Sequence, residues 1–459
     1  MLTTLRFNNF KAWEASGEIR LAPLTVLFGA NSAGKTSIPQ LLLLLKQTAE
    51  SPDRQRALQF GDSRTLIDAG SFDDAVHAHD ITQPLEIELA WRPAEPLQIT
   101  DPVSSVQYQG DAIRFSVSIR ADKRHQPVVD HLEYTVLHKG AEQLRVGMKH
   151  QEGATKFDLT ASRYKLVRHT GRAWALPQPV RFYGFPDEVT AYYQNTAFAS
   201  DLVLRLERLL RGLFYVGPLR EYPRRLYLWS GEVPDHVGSR GDRAIEAILA
   251  AGGRQYNLGA RQKLRPLEEM VAERLHSMGL ISEFQVKQLG THRKEYEVLV
   301  RTAGKMPEVK LTDVGFGVSQ VLPVIVECFY VPRNSIVIFE QPEIHLHPRV
   351  QADLADLFVD AIRAREGGAE RNCQFIVESH SEHFLRRLQR RVAEEELSSG
   401  DVALYFVHTE QGSARIEELD VDAYGNIRNW PEGFFGDEMD DLVARAEEQE
   451  RRTGRVPRA

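Results

Sequence analysis

The stretch Gly29-Ala30-Asn31-Ser32-Ala33-Gly34-Lys35-Thr36 limits what this chain can fold into more than any other part of it. It fits the pattern GxxxxGK[ST] at every fixed position. It follows a β-prone run, Leu24–Phe28, and precedes a segment in which Ile38, Leu41, Leu42 and Leu45 recur at helical spacing and share one apolar face. A strand that turns through small residues into a helix points backbone N–H groups and the positive helix end at one spot, which cradles phosphate. In such a cradle Lys35 reaches the outer phosphates and the Thr36 hydroxyl ligates Mg²⁺, while Asn31, Ser32, Ala33, Gly34 and Ser37 form the wall. Pro39 lies early in the helix, where it removes one backbone donor and predicts a slight bend.

Composition allows a large folded core and little else. The 459 residues are 42% hydrophobic and 26% charged, which excludes a disordered or collagen-like chain. The two cysteines, Cys328 and Cys373, cannot make a disulfide framework, so a reducing compartment is expected. No apolar run approaches the roughly 20 residues of a membrane span, and the first residues lack a secretory apolar core. The expected location is the cytoplasm. With a formal net charge of −7, contact with nucleic acid requires local basic patches.

Periodicity divides the chain into five parts. Residues 1–83 hold the phosphate loop, and 84–185 are β-rich, with alternation such as Leu85-Glu86-Ile87-Glu88-Leu89. Residues 186–280 carry helical spacing, as in Leu202, Leu206, Leu209, Leu210 and Leu213, and read as a helical insertion. Residues 281–437 return to apolar strands followed by helices, which implies parallel pairing, and 438–459 form a charged tail.

Three further motifs fall in the C-terminal half. Ile336-Val337-Ile338-Phe339-Glu340 puts a carboxylate at a strand end, where it would hold Mg²⁺ through water. The next residue, Gln341, stands where a hydrolase would place its base. An amide accepts no proton at neutral pH, so slow hydrolysis is expected, with three readings open: Gln341 orients water, Glu343 acts as the base, or an engineered glutamine replaces a catalytic glutamate at 341. Phe375-Ile376-Val377-Glu378 leads to Ser379-His380, delivering a histidine to the same sheet edge as a sensor of the γ-phosphate. A metal site built from His345, His347, His380 and His383 has no matching cysteine or carboxylate spacing to support it. Upstream, Asp313-Val314-Gly315-Phe316-Gly317-Val318-Ser319-Gln320 reads as a helix start able to offer N–H groups to phosphate.

Two basic clusters are candidate contacts for nucleic acid or an acidic partner. One is Arg220, Arg224 and Arg225. The other, Arg386, Arg387, Arg390 and Arg391, recurs at i, i+1, i+4, i+5 as a helical stripe.

Taken in order, these motifs resemble the ABC-type ATPases of the SMC, RecF and OLD kind. The opening Leu5-Arg6-Phe7-Asn8-Asn9-Phe10-Lys11 looks like the start of those chains, and PLTVLFGANSAGKTS like their Walker A segment. EQPEIHLHP looks like their Walker B and D-loop, and His380 like their switch histidine. YVGPLREYPRR and GNIRNWPEGFF look like blocks of a short, coiled-coil-free bacterial subfamily. The signature helix departs, reading DVGFGVSQ, with Gly315, Gly317, Ser319 and Gln320 as the phosphate-facing candidates. The resemblance implies an α/β fold: an ATPase head with a P-loop sheet, an antiparallel β subdomain and an α/β insertion. It also implies ATP and Mg²⁺ as ligands, Phe10 and Lys11 beside the nucleotide, and pairing of two copies around ATP. The role it implies is in phage defence, with a separate nuclease as effector. A RecF-like DNA-repair ATPase and a scaffold that hardly hydrolyses ATP are the alternatives.

Overall fold

In the computed structural model, residues 1–151, 156–171, 174–259, 262–302, 304, 306–431, 445–449 and 452 are described. The charged tail expected over 438–459 lies outside them apart from 445–449 and 452, and so does the stretch 432–435 of the last block.

The apolar runs read from the sequence meet in one six-stranded sheet. Its order is Leu213–Val216, Ile336–Glu340, Gln374–Glu378, Leu24–Gly29, Val402–Glu410 and Ser413–Glu418. The first five are parallel and the last closes a hairpin. All five residues of Ile336–Glu340 and of Gln374–Glu378 are buried, as strands covered on both faces must be. Alternation sorts their side chains: Leu27, Ile338, Ile376 and Tyr405 enter one core, while Val26, Phe339, Val377 and Leu404 enter the other. In register, Glu340 lies opposite Glu378, and Glu378 opposite Leu27, two residues before the phosphate loop. The sheet therefore delivers three loops to one edge, where ligands of parallel sheets bind.

The first core is shared with an eight-stranded antiparallel sheet. Five strands between Leu85 and Ser162 form most of it, as the alternation predicted, and Leu2–Phe10 joins by pairing with Leu85–Trp91. The first strand thus belongs to this sheet and not to that of the phosphate loop. Between the sheets lies the helix Ser37–Glu50. Leu41 to Leu45 are all buried, so the single apolar face expected is in fact a nearly continuous one. Lys46 is tolerated there because Glu50 and the Arg211 carbonyl accept from it. Pro39 falls in the first turn, where no intrahelical bond needs its missing N–H.

The second core packs the helices Phe316–Tyr330, Pro348–Arg363 and Glu382–Ala393 against the other face. Among the described residues of 186–280 four helices occur, Asp187–Tyr192, Phe198–Arg211, Ala244–Ala250 and Leu267–Ser277. Leu213, read as part of the helical spacing, instead opens the edge strand Leu213–Val216. Among the described residues no helix is long and apolar enough to cross a membrane.

Candidate functional site

The turn after Leu24–Gly29 needs its glycines. Gly29 has φ +139°, and a Cβ there would lie 2.0 Å from the Val407 carbonyl oxygen of the neighbouring strand. Gly34 has φ +100°, and its carbonyl accepts from Trp13 Nε1 at 3.0 Å, tying the loop to the antiparallel sheet. Lys35 is buried and folds back, Nζ donating to the carbonyls of Gly29 at 2.9 Å and Ala30 at 2.6 Å. Burial pulls its pKa down, opposed by the carboxylate of Glu378.

A cavity of about 330 Å³ opens beside this loop. Asn31, Ser32, Gly34, Lys35, Thr36 and Ser37 wall one side, and Lys11, Gln341, Glu378 and His380 reach it from other elements. Lys11 is held by Gln40 Oε1 at 2.5 Å. Two residues expected at the nucleotide, Ala33 in the wall and Phe10 beside it, are set back. Ala33 is buried. Phe10 is fully buried against Phe7, which packs on Trp13, so it supports the loop and cannot touch a nucleotide.

The far wall is acidic. Glu378, which the sequence reading passed over, lines the cavity and accepts from Thr36 Oγ1 at 3.1 Å through Oε1, while its buried Oε2 has no partner. Burial raises its pKa, and Lys35 and Thr36 pull the other way. Glu340 stands one strand further on. It is hydrogen-bonded by the Tyr215 hydroxyl, and burial together with the charge of Glu378 pushes its pKa up to about 7. Carboxylates and a hydroxyl are the donors a hard divalent cation takes.

Gln341 lines the cavity from a left-handed backbone conformation, φ +43°. Such a conformation is costly for a residue with a side chain and persists only where its surroundings enforce it. One of those surroundings is Arg220. It is almost fully buried, and its guanidinium lies 3.4–3.5 Å from the carbonyls of Glu340, Gln341 and Pro342. Its charge faces Glu343, also buried, whose Oε1 accepts from the His380 N–H at 2.6 Å and Ser379 Oγ at 2.9 Å. Glu343 therefore braces the His380 turn and is engaged away from a base's position. His380 reaches the cavity with its pKa lowered, first by burial and then by Lys35; the Gly29 main chain hydrogen-bonds its ring.

Other sequence candidates lie elsewhere. Arg220 is buried, so it is no contact for nucleic acid; Arg224 and Arg225 remain exposed, Arg225 paired with Asp313 at 2.9 Å. The stripe on Glu382–Ala393 is neutralised: Arg387 and Arg391 bind Asp356 at 2.5 and 2.6 Å, Arg386 pairs with Glu382 and Arg390 with Glu394. Gly315 caps the exposed start of Phe316–Tyr330, next to Gly317. Ser319 and Gln320 turn inward, the Ser319 hydroxyl donating to the Phe316 carbonyl, so neither faces a phosphate. Among the described residues no three histidine, cysteine or carboxylate side chains converge on a metal position, which removes the histidine cluster.

Residues 260–385 match a family model described as an AAA ATPase domain, and residues 397–444 one described as a protein of unknown function (DUF3696). No curated protein matches in sequence. Similar solved structures include an SMC head bound to the C-winged helix domain of ScpA, at 10% identity and TM-score 0.45, covering 92% of this chain and 98% of that one. The SMC head domain from Thermotoga maritima has 11% identity and TM-score 0.40, with coverages of 92% and 99%. An SMC head with an extended coiled coil, bound to the C-terminal domain of ScpA derived from Pyrococcus furiosus, has 11% identity and TM-score 0.38, with coverages of 98% and 99%.

Proposed function

We infer that this chain, an ATPase of the SMC/RecF-like ABC type, binds ATP with Mg²⁺ at the cavity beside Gly29–Thr36 and uses the bound nucleotide to pair two copies. The observation that carries this is the meeting of Lys35, Thr36, Gln341, Glu378 and His380 around one cavity, from three strand ends. Lys35 and His380, both released from the loop carbonyls that now accept from them, meet the phosphates, Lys35 the outer ones and the His380 ring N–H the terminal one. Thr36 and the acidic wall would hold Mg²⁺, which neutralises phosphate charge. The exposed helix start at Gly315 is left free to face the nucleotide of a second copy. ATP then favours the paired state and its loss the open one.

Hydrolysis is slow in this reading, because Gln341 takes the place of a base and Glu343 is engaged elsewhere. The same observation favours the second reading, a scaffold held by ATP with negligible turnover. The proposed setting, a bacterial defence system in which the chain controls a separate nuclease, rests on the sequence resemblance. Direct action on DNA, as in RecF-like repair, loses support from the pairing of the Arg386–Arg391 stripe.

The test is steady-state ATP hydrolysis with and without duplex DNA, beside Gln341→Glu and Lys35→Ala. Slow turnover indifferent to DNA, lost in Lys35→Ala and accelerated in Gln341→Glu, is the expected result. Strong stimulation by DNA would move the assignment to repair.

A further inference from the structure

The left-handed turn at Gln341 is fastened by a residue that lies outside the nucleotide motifs. The Gln341 N–H donates to the Glu378 carbonyl at 2.8 Å, and the Gln341 carbonyl accepts from the Ile344 N–H at 3.1 Å. The remaining hold comes from Arg220, in the segment that follows Leu213–Val216: Nη1 lies 3.5 Å from the Pro342 carbonyl oxygen, and Nη2 3.4 Å from those of Glu340 and Gln341. Resting on the reading of this cavity as an ATPase site, we propose that Arg220 is a positioning residue for hydrolysis. Its guanidinium fixes the turn that presents the Gln341 side chain, and its charge, through Glu343, steadies the turn that presents His380. One buried cation thus sets two of the groups that would surround the terminal phosphate, without touching nucleotide itself.

Three observations carry it. Three successive carbonyls of one turn meet a single guanidinium, whose planar fork spans them as the point charge of a lysine cannot. The middle residue of that turn has φ +43°, a conformation that lasts only where contacts impose it. Second, Glu343 Oε1 accepts from Ser379 Oγ at 2.9 Å and the His380 N–H at 2.6 Å, and the charge of Arg220 faces this carboxylate. Arg220 therefore bears on two turns whose side chains, Gln341 and His380, line the same cavity. Third, the pair is poorly built for stability alone. Arg220 is 4% exposed and Glu343 7%, yet Arg220 Nε and Glu343 Oε2 have no hydrogen-bond partner. A buried ion pair with unsatisfied atoms stabilises less than apolar side chains of the same volume, so what the arginine supplies is placement.

Single-turnover ATP hydrolysis beside ATP titration of the full chain tests this, with Arg220→Lys as the main variant and each protein shown folded by thermal melting. Arg220→Lys keeps the charge opposite Glu343 and loses the fork, so ATP affinity should stay within about twofold while the hydrolysis rate falls about tenfold or more. Arg224→Ala, at an exposed neighbour, should leave the rate unchanged. A merely structural arginine would slow every background alike. In Gln341→Ala, where the turn has no amide to present, the penalty of Arg220→Lys should instead shrink to less than about threefold. The same comparison in Gln341→Glu keeps the rate measurable if the parent is very slow. Should Arg220→Lys fold poorly, Arg220→Met combined with Glu343→Gln leaves no stranded charge and should show the same loss of rate. A parental rate in Arg220→Lys or in that double variant, or a tenfold penalty undiminished in Gln341→Ala, overturns the proposal. So does ATP bound without hydrolysis in both the parent and Gln341→Glu. Failure of the parent to bind ATP would instead sink the nucleotide reading of the cavity.

Discussion

In the proposed ATPase site, Gln341 is the residue that would set the rate of hydrolysis. Its side chain lines the cavity from a strained turn, so glutamate at that position would inherit the same placement with a group able to take a proton. Gln341→Glu is therefore expected to raise kcat by tenfold or more with little change in ATP affinity; an unchanged kcat measured under saturating ATP would show that the base lies elsewhere. Gly29 makes a sharper structural demand. A Cβ would collide with the Val407 carbonyl at a backbone angle hostile to side chains, so Gly29→Ala should cost several kcal/mol or prevent folding, read by denaturant titration. The phosphate loop was legible because its residues are contiguous and each is fixed by the turn it makes. Glu378 was not, since its partner Thr36 lies 342 residues away and nothing local marks one strand-end acid over another.

At the scale of elements, buried charge explains why the basic clusters misled. Arg220 reads as surface beside Arg224 and Arg225, but its loop tucks it under the turn Glu340–Glu343, where it meets backbone carbonyls and Glu343. Removing one partner of such a pair strands the other in low dielectric, so Arg220→Met should destabilise by about 3 kcal/mol or more. Adding Glu343→Gln to it should recover part of that loss, since the stranded charge is gone; additive losses in denaturant titrations would show that the two do not interact. On Glu382–Ala393, Arg387 joins Asp353 and Asp356 on the neighbouring helix, whereas Arg390 sits exposed with Glu394. Arg387→Ala should cost about 2 kcal/mol and Arg390→Ala less than about 0.5 kcal/mol by the same titration, because exposed pairs contribute little. The sequence shows the stripe of arginines plainly; the aspartates that neutralise its inner half lie on another helix.

For the whole molecule, periodicity carried the reading far. Apolar runs at Leu24–Phe28, Ser335–Phe339, Gln374–Val377 and Val402–Val407 became neighbours in one parallel sheet, and the alternating stretch became the antiparallel one. The edge strand Leu213–Val216 escaped because four apolar residues after a helix carry no period of their own. Leu2–Phe10 joins the sheet formed by later strands, a pairing that only the closed fold reveals. Together the two sheets and three strand ends build the cavity proposed to take nucleotide. Isothermal titration of ATP with Mg²⁺ into the parent chain and into Lys35→Ala, both shown folded by thermal melting, tests it most directly. Saturable binding, near one nucleotide per chain, should disappear in Lys35→Ala; binding of equal strength in that variant would place the nucleotide elsewhere.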